Sequence, residues 1–330
     1  MKKYIIGIDL GSSNTKIMVS NTDGLVFNEP TCIAIDTSNK EVKEIGYLAN
    51  KIQGKAPYNY DVIYPVVNGI VSDDDALYLY LNTIFSQLHL NTERQFKNVA
   101  LIFTAPSKCS KVNRKALIEI GKRLQVKEIY IESKAKLAAY GTGEKVKTPS
   151  ATLICNIGAG LTDIACLSLG EIVASSSTFI AGDSFNEAIR RYMVQEQHLA
   201  IGRKTSEYIK MRIGTISPNV ENKLVEVKGR DTITSLPSST IISSSEIKKI
   251  LTPLVKFIAL QITDVISSIQ PELAADLVKN GLILTGGSSL LVGLKEFLKD
   301  ELSIPVRIAD EPLDAVANGL KNMIDDINRE

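Results

Sequence analysis

The strongest constraint on this chain is a pattern that it carries twice: an apolar run ending in one polar head group, a glycine-rich turn, and a second apolar run opening on threonine. The first copy reads D-L-G-S-S-N-T from Asp9 to Thr15, and the second reads N-I-G-A-G-L-T from Asn156 to Thr162. In both, the polar head stands the same distance before the threonine. Short apolar runs bounded by Gly and Ser read as strand, tight turn, strand. Their recurrence marks a duplicated unit rather than one long sheet. Gly7 and Gly11 let backbone come close to a ligand, while Ser12, Ser13 and Thr15 offer hydroxyls and turn amides that suit phosphate oxygens. Asp9, at the end of its strand, is placed to hold a hydrated Mg²⁺, which takes few carboxylates when phosphates supply the other ligands. Taken alone, either turn is also compatible with an ordinary hairpin.

A chain of 330 residues with 44% hydrophobic content favours two domains. With 38 basic against 37 acidic residues the net charge is +1, so no global field draws it to nucleic acid or anionic lipid. Cys32, Cys109, Cys155 and Cys166 form no CxxC pair, and Cys155 and Cys166 lie in apolar runs, which fits a reducing cytoplasm. His89 and His198 are isolated, which argues against a His/Cys metal cage. Asp9 interrupts the N-terminal apolar run, so no signal peptide is expected, and no stretch reaches the roughly 18 apolar residues of a membrane span.

Strands are expected over residues 4–9, 15–20 and 25–28 as a meander, then at 31–36, with a small insertion over 41–68. Ser72 is the expected cap of a helix with Asp73, Asp74 and Asp75 in its first turn and a stripe of Leu77, Leu81, Ile84, Phe85 and Leu88. A strand at 98–104, a helix at 112–124, a strand at 128–131 and a helix from 134 follow, with a boundary in 141–150. The pattern restarts with strands at 152–156, 161–168 and 171–175. Helices at 183–195 and 204–213 and polar strands within 223–234 form a second insertion, before a long helix at 244–269. A buried strand at 282–285 then runs into Gly286, Gly287, Ser288 and Ser289, expected to open a helix over 290–302, a third place where an anion or nucleotide can meet backbone. A strand at 306–308 and a helix at 313–327 close the chain.

Three glycine-rich turns in this order, two of them duplicated, resemble the actin, heat-shock-chaperone and sugar-kinase ATPase superfamily. The segments EPTCIAID from Glu29, VVNGIVSD from Val66, TAPSKCS from Thr104, GRKTSEYIKMRIG from Gly202, GRDTITSLP from Gly229, PELAADL from Pro271 and LTGGSSLLVGL from Leu284 resemble the MreB family, the bacterial actins of cell shape, over nearly the full chain. The resemblance implies an α/β actin-like fold in which two duplicated ribonuclease-H-like domains close over a nucleotide, each with a small inserted subdomain. Residues 1–30, 69–141 and 315–330 would form domain IA, 31–68 IB, 142–182 with 242–314 IIA, and 183–241 IIB. It further implies ATP or ADP with Mg²⁺ as ligands, assembly into filaments for cell shape or motility, and a cytoplasmic location.

By resemblance, Asp9, Gly11, Ser12, Ser13, Asn14 and Thr15 match the first phosphate motif, with Lys16 where eukaryotic actin has a phosphate-binding lysine. Residues Asn156 to Asp163, with Gly158, Ala159, Gly160, Leu161 and Thr162 between them, match the second. Glu207 and Lys210 match an E-x-x-K beside the nucleoside, Gly182 and Asp183 a Gly-Gly-Asp near the sugar, and Gly286, Gly287, Ser288 and Ser289 the adenosine motif.

Three positions depart from the family pattern. Lys134 stands where relatives carry the water-orienting glutamate, Leu161 where a hydroxyl is usual, and Asn156 where an aspartate is usual. An ammonium has only donors and cannot accept a proton from an attacking water, although it could hold the γ-phosphate. A register slip would let Glu132 serve instead. Loss of a general base commonly costs on the order of 10² to 10⁴ in rate, so weak ATPase activity is expected.

Two other readings stay open: a small-molecule kinase of the same superfamily, and a catalytically silent partner of paralogous MreB subunits. A chaperone ATPase would need a substrate-binding domain, which this length does not suggest. Head-to-tail self-assembly leaves no symmetric patch in one chain. Peripheral membrane contact in the family uses an N-terminal amphipathic helix, which a chain opening on a strand is not expected to have, or an apolar loop. The segment 89–97 offers only Leu90 and Phe96 for the latter.

Overall fold

The computed structural model describes residues 4–20, 22, 24–90, 99–219 and 221–329. Two five-stranded sheets are built to one plan. The first runs in the order Glu128–Ser133, Val99–Ala105, Tyr4–Leu10, Asn14–Val19, Leu25–Pro30. The second runs Val306–Ile308, Leu282–Thr285, Thr152–Ile157, Thr162–Ser168, Glu171–Thr178. In each, an antiparallel meander continues into two parallel strands reached by helical crossovers. The registers also coincide. Asp9 lies opposite Lys16 and Leu10 opposite Thr15, as Asn156 lies opposite Asp163 and Ile157 opposite Thr162. Even the turn closure repeats: the Gly11 N–H donates to the Asn14 carbonyl at 3.0 Å and the Gly158 N–H to the Leu161 carbonyl at 2.9 Å. The sequence repeat is therefore a structural duplication, and the fold is actin-like.

The leading strands of both sheets are almost wholly buried because helices cover both faces, which is why they read as continuous apolar runs rather than alternating ones. One core lies within each half, and a third lies between them. That shared core joins Ile5 and Ile102 of the first sheet to Ile154 and Ile283 of the second through the helices Lys134–Gly141 and Ala315–Arg329. Alanines at 135, 138, 139, 315 and 317 keep this helix pair thin. At its crossing a methyl group on Gly141 would fall on the Ala315 carbonyl, and one on Gly319 on the Leu137 carbonyl, so both positions require glycine.

Both insertions fold as small sheets. Ile33–Asp36, Val42–Ile45 and Tyr60–Ile63 pair beside the helix Gly46–Ile52 in the first half, and Leu199–Ala200, Leu224–Asp231 and Pro237–Ser243 pair in the second.

Three local expectations need correction. Asp73, not Ser72, caps the helix Asp74–Gln87, its carboxylate accepting the Ala76 N–H at 2.9 Å. The helix expected directly after Ser289 starts later. A 3₁₀ turn, Gly287–Leu290, comes first, and Gly293 at φ +83° redirects the chain into Leu294–Leu302. A helix at Pro271–Asn280, with proline in its first turn, was not anticipated as an element. Among the described residues Ser244–Ser267 is one helix long and apolar enough to cross a membrane by length and composition. Its stripe of Ile247, Leu251, Val255, Ile258, Ile262 and Val265 is, however, packed into the core of the second half.

Candidate functional site

The two repeated turns face each other across the junction of the halves. They approach so closely that a methyl group on Gly160 would meet the Ser12 hydroxyl and the Asn68 backbone. Ser12 Oγ accepts the Gly69 N–H at 2.8 Å, and Leu161, which is buried, packs on Gly69. Beside this contact opens a cleft of about 610 Å³, which Ser12 lines together with Asn68, Asp183, Asn186, Arg190 and Arg203 among others. That volume lies within the range of small-molecule sites, roughly 300–1,000 Å³. Asn186 is buried and its Oδ1 has no partner among the described residues. Such an acceptor is costly unless a ligand or water supplies a donor.

The strand ends fix the floor chemistry. Asp9 Oδ1 accepts from Lys134 Nζ at 2.8 Å and from Thr104 Oγ1 at 3.0 Å. Lys134 is the first residue of its helix, and Ser133 caps that helix by accepting the Lys136 N–H at 3.2 Å. The lysine therefore stands at the helix start with its ammonium turned onto Asp9. Glu132 stays on its strand end, accepting the Ser133 N–H at 2.8 Å and facing Lys136 at 3.7 Å, away from Asp9. Lys16 Nζ is held by Asp314 Oδ1 at 2.7 Å and by the Leu313 carbonyl. Asp314 is partly exposed, so this lysine can exchange partners.

Two of the expected binding hydroxyls are bonded within the scaffold. Thr15 Oγ1 pairs with Thr31 Oγ1 at 2.8 Å, and Thr162 Oγ1 donates to the Ile180 carbonyl at 2.7 Å. Ser13 and Asn14 remain toward solvent, bonded to each other and, through Asn14, to Asn28.

The second turn is tied to the remaining motifs by its carbonyls. The Gly158 carbonyl accepts the Gly182 N–H at 3.1 Å and Ser288 Oγ at 2.8 Å, and the Ala159 carbonyl accepts the Asp183 N–H at 2.6 Å. Lys210 Nζ donates to the Gly182 carbonyl at 3.1 Å, and burial pushes its pKa down from the ordinary lysine value while Glu207 and Asp183 pull it back. Asp183 pairs with Arg203 at 3.0 Å. Gly286, at φ +82°, lies so close to the Ile157 carbonyl that no side chain fits, and Ser289 Oγ closes the turn onto the Gly286 carbonyl at 2.6 Å. Asn156 Oδ1 accepts from Thr285 Oγ1 at 3.2 Å. A methyl group on Gly287 would be in ordinary van der Waals contact with Leu313, at 3.6 Å. The three glycine-rich turns thus meet one another, the second touching the first through Gly160 and Ser12 and the third through Gly158 and Ser288.

Three groups take roles that the sequence does not assign to them. Asp163 is wholly buried and accepts from the Ser107 N–H and Oγ, the Ala135 N–H and Ser177 Oγ, joining the two halves. Burial pushes its pKa up, and these hydrogen bonds pull it back. Its signal was the repeat itself, which aligns it with Lys16. Arg203 lies over the Tyr64 ring, 4.8 Å from its centroid, and Lys204 donates to the Asn50 carbonyl, so the two inserted segments touch through the helices beside their small sheets. Of the segment considered for membrane contact, Leu90 is buried and Phe96 lies outside the described residues.

The family model described as MreB/Mbl protein matches residues 3–330. The cell shape-determining protein Mbl of Bacillus subtilis is 35% identical over 324 residues, covering 98% of this chain and 96% of that protein. The cell shape-determining protein MreB of Escherichia coli is 33% identical over 318 residues, covering 95% and 91%. The crystal structure of MreB 5 of Spiroplasma citri bound to AMPPNP superposes with a TM-score of 0.93 at 31% identity, over 100% of this chain and 98% of that one. The same protein is also known bound to ADP. With the duplicated sheets and the converging turns, these matches establish that the chain belongs to the MreB/Mbl family.

Proposed function

We propose that this chain is an actin-like cytoskeletal protein that binds ATP and ADP between its halves, assembles into filaments supporting cell shape or motility, and hydrolyses ATP slowly. The observation that carries nucleotide binding is the pair of turns with identical register facing each other, with the Gly286 turn bonded to one of them and Ser12 of the other lining an open cleft. Relatives at 31% identity bound to AMPPNP and ADP support the same ligand class. The reading assigns the phosphates to the turns at 9–16 and 156–162, and the nucleoside to Gly182, Asp183, Glu207, Lys210 and Gly286 to Ser289. Any Mg²⁺ would arrive on the nucleotide phosphates rather than in a protein cage. The halves would correspond to domains IA with IB and IIA with IIB, in a cytoplasmic protein.

Slow hydrolysis follows from the groups at the water site. Lys134 is a donor only, Leu161 presents methyl groups where a hydroxyl would hold water, and Asn156 carries no charge. The Lys134–Asp9 pair also suits a silent subunit that co-assembles with a hydrolysing paralogue. Equilibrium binding of a fluorescent ADP, together with sedimentation in the presence and absence of ATP, tests the reading. Saturable binding and nucleotide-dependent pelleting are expected. A chain that binds no adenine nucleotide would overturn it.

A further inference from the structure

Whether the cleft floor suits a protein-held Mg²⁺ can be judged from its oxygen donors. Such an ion uses one or two carboxylates beside the phosphates and its own waters. Asp9 is already engaged by Lys134, and both side chains are nearly buried, at 12% and 9% exposure. The equivalent position in the second turn is the uncharged Asn156, whose Oδ1 accepts from Thr285. Asp163 is enclosed by donors from Ser107, Ala135 and Ser177. Among the described residues no group of three or more His, Cys, Asp and Glu could hold a metal ion. These residues do not fit a metal held by the protein.

We propose that Lys134 is a resident cation that takes the place of the divalent ion, so that this chain binds nucleotide almost equally well with and without Mg²⁺. The proposal rests on the nucleotide reading above. A lysine as first residue of a helix is opposed by the helix dipole, so local helix stability does not account for it. What holds it there is Asp9, and through Asp9 the first phosphate turn. An ammonium carries three donors, and Asp9 Oδ1 takes one, leaving two for phosphate oxygens. Lys16 adds a second positive charge on the same strand pair, held by the partly exposed Asp314 and a carbonyl. Two ammonium groups beside the turn offset phosphate charge as a divalent ion would.

The test is a titration of the full chain with fluorescent ADP, in excess Mg²⁺ and again in excess EDTA. The dissociation constants for the native chain are expected to differ by less than about threefold. The variant Lys134→Met removes the charge and frees Asp9, and its affinity in EDTA is expected to fall at least about tenfold below that in Mg²⁺. A native chain that loses more than threefold on chelation overturns the proposal, as does a folded Lys134→Met variant indifferent to Mg²⁺. If that variant does not fold, the native ratio decides. Absence of binding under both conditions would instead overturn the nucleotide reading itself.

Discussion

Replacing Asp163 by alanine should destabilise the fold more than any other single change at the floor of the cleft that leaves the nucleotide-facing surface intact. Its carboxylate accepts the backbone N–H groups of Ser107 at 3.0 Å and Ala135 at 3.1 Å, the Ala135 bond buried and the Ser107 bond partly buried. The hydroxyls of Ser107 and Ser177 can rotate, and Ser107 already has Ser133 Oγ at 2.7 Å, so their loss matters less. A buried donor left unpaired costs about 1–3 kcal/mol, so two give roughly 2–6 kcal/mol. Relief of the burial that raises the carboxylate's pKa offsets part of this. A net loss of at least about 2 kcal/mol is expected, a large share of a total that is typically about 5–15 kcal/mol. The chain has no tryptophan, so urea unfolding followed by far-ultraviolet circular dichroism is the suitable assay. Asp163→Asn, which keeps one acceptor, should lose less than Asp163→Ala. An alanine variant within about 0.5 kcal/mol of the native chain would show that the four donors do not need the carboxylate.

At the helix crossing, Gly319→Ala places a methyl group on the Leu137 carbonyl and should cost at least the roughly 1–3 kcal/mol of an overpacked core, read as a lowered thermal midpoint; an unchanged midpoint would mean that the helices separate freely. Restoring the family groups with Lys134→Glu and Leu161→Thr together should raise ATP turnover at least about tenfold in a phosphate-release assay, within the range that a general base supplies. No gain in a folded double variant would count against placing Lys134 at the glutamate position. Ser243→Ala removes the capping box of Ser244–Ser267 and should lower stability by about 1 kcal/mol in the same urea assay, with no change meaning that the cap is dispensable.

The duplicated hairpins were legible because everything that defines them is local: strand-length apolar runs, glycines at the turns, and a constant offset between copies. The same locality explains the near misses. Ser72 and Asp73 are both good caps one residue apart, and the choice between them depends on chain direction after the short strand Ile70–Val71. The late start of Leu294–Leu302 depends on Gly293 adopting positive φ against Ser217, a contact from a distant segment. Lys134 was visible as a departure, but its partner was not, because the Asp9 ion pair joins residues far apart in the chain. Asp163 ends the second phosphate motif in the sequence, but its donors come from distant segments and so could not be read there. The paired registers place it as the counterpart of Lys16, one residue joining the halves and the other bonded to Asp314.

Binding without efficient cleavage is what the floor of the cleft foretells, and phosphate release from ATP by the purified native chain tests it. Measured beside a family member that carries glutamate in place of Lys134, turnover should be lower by about 10² or more. Equal rates in the two proteins would contradict it.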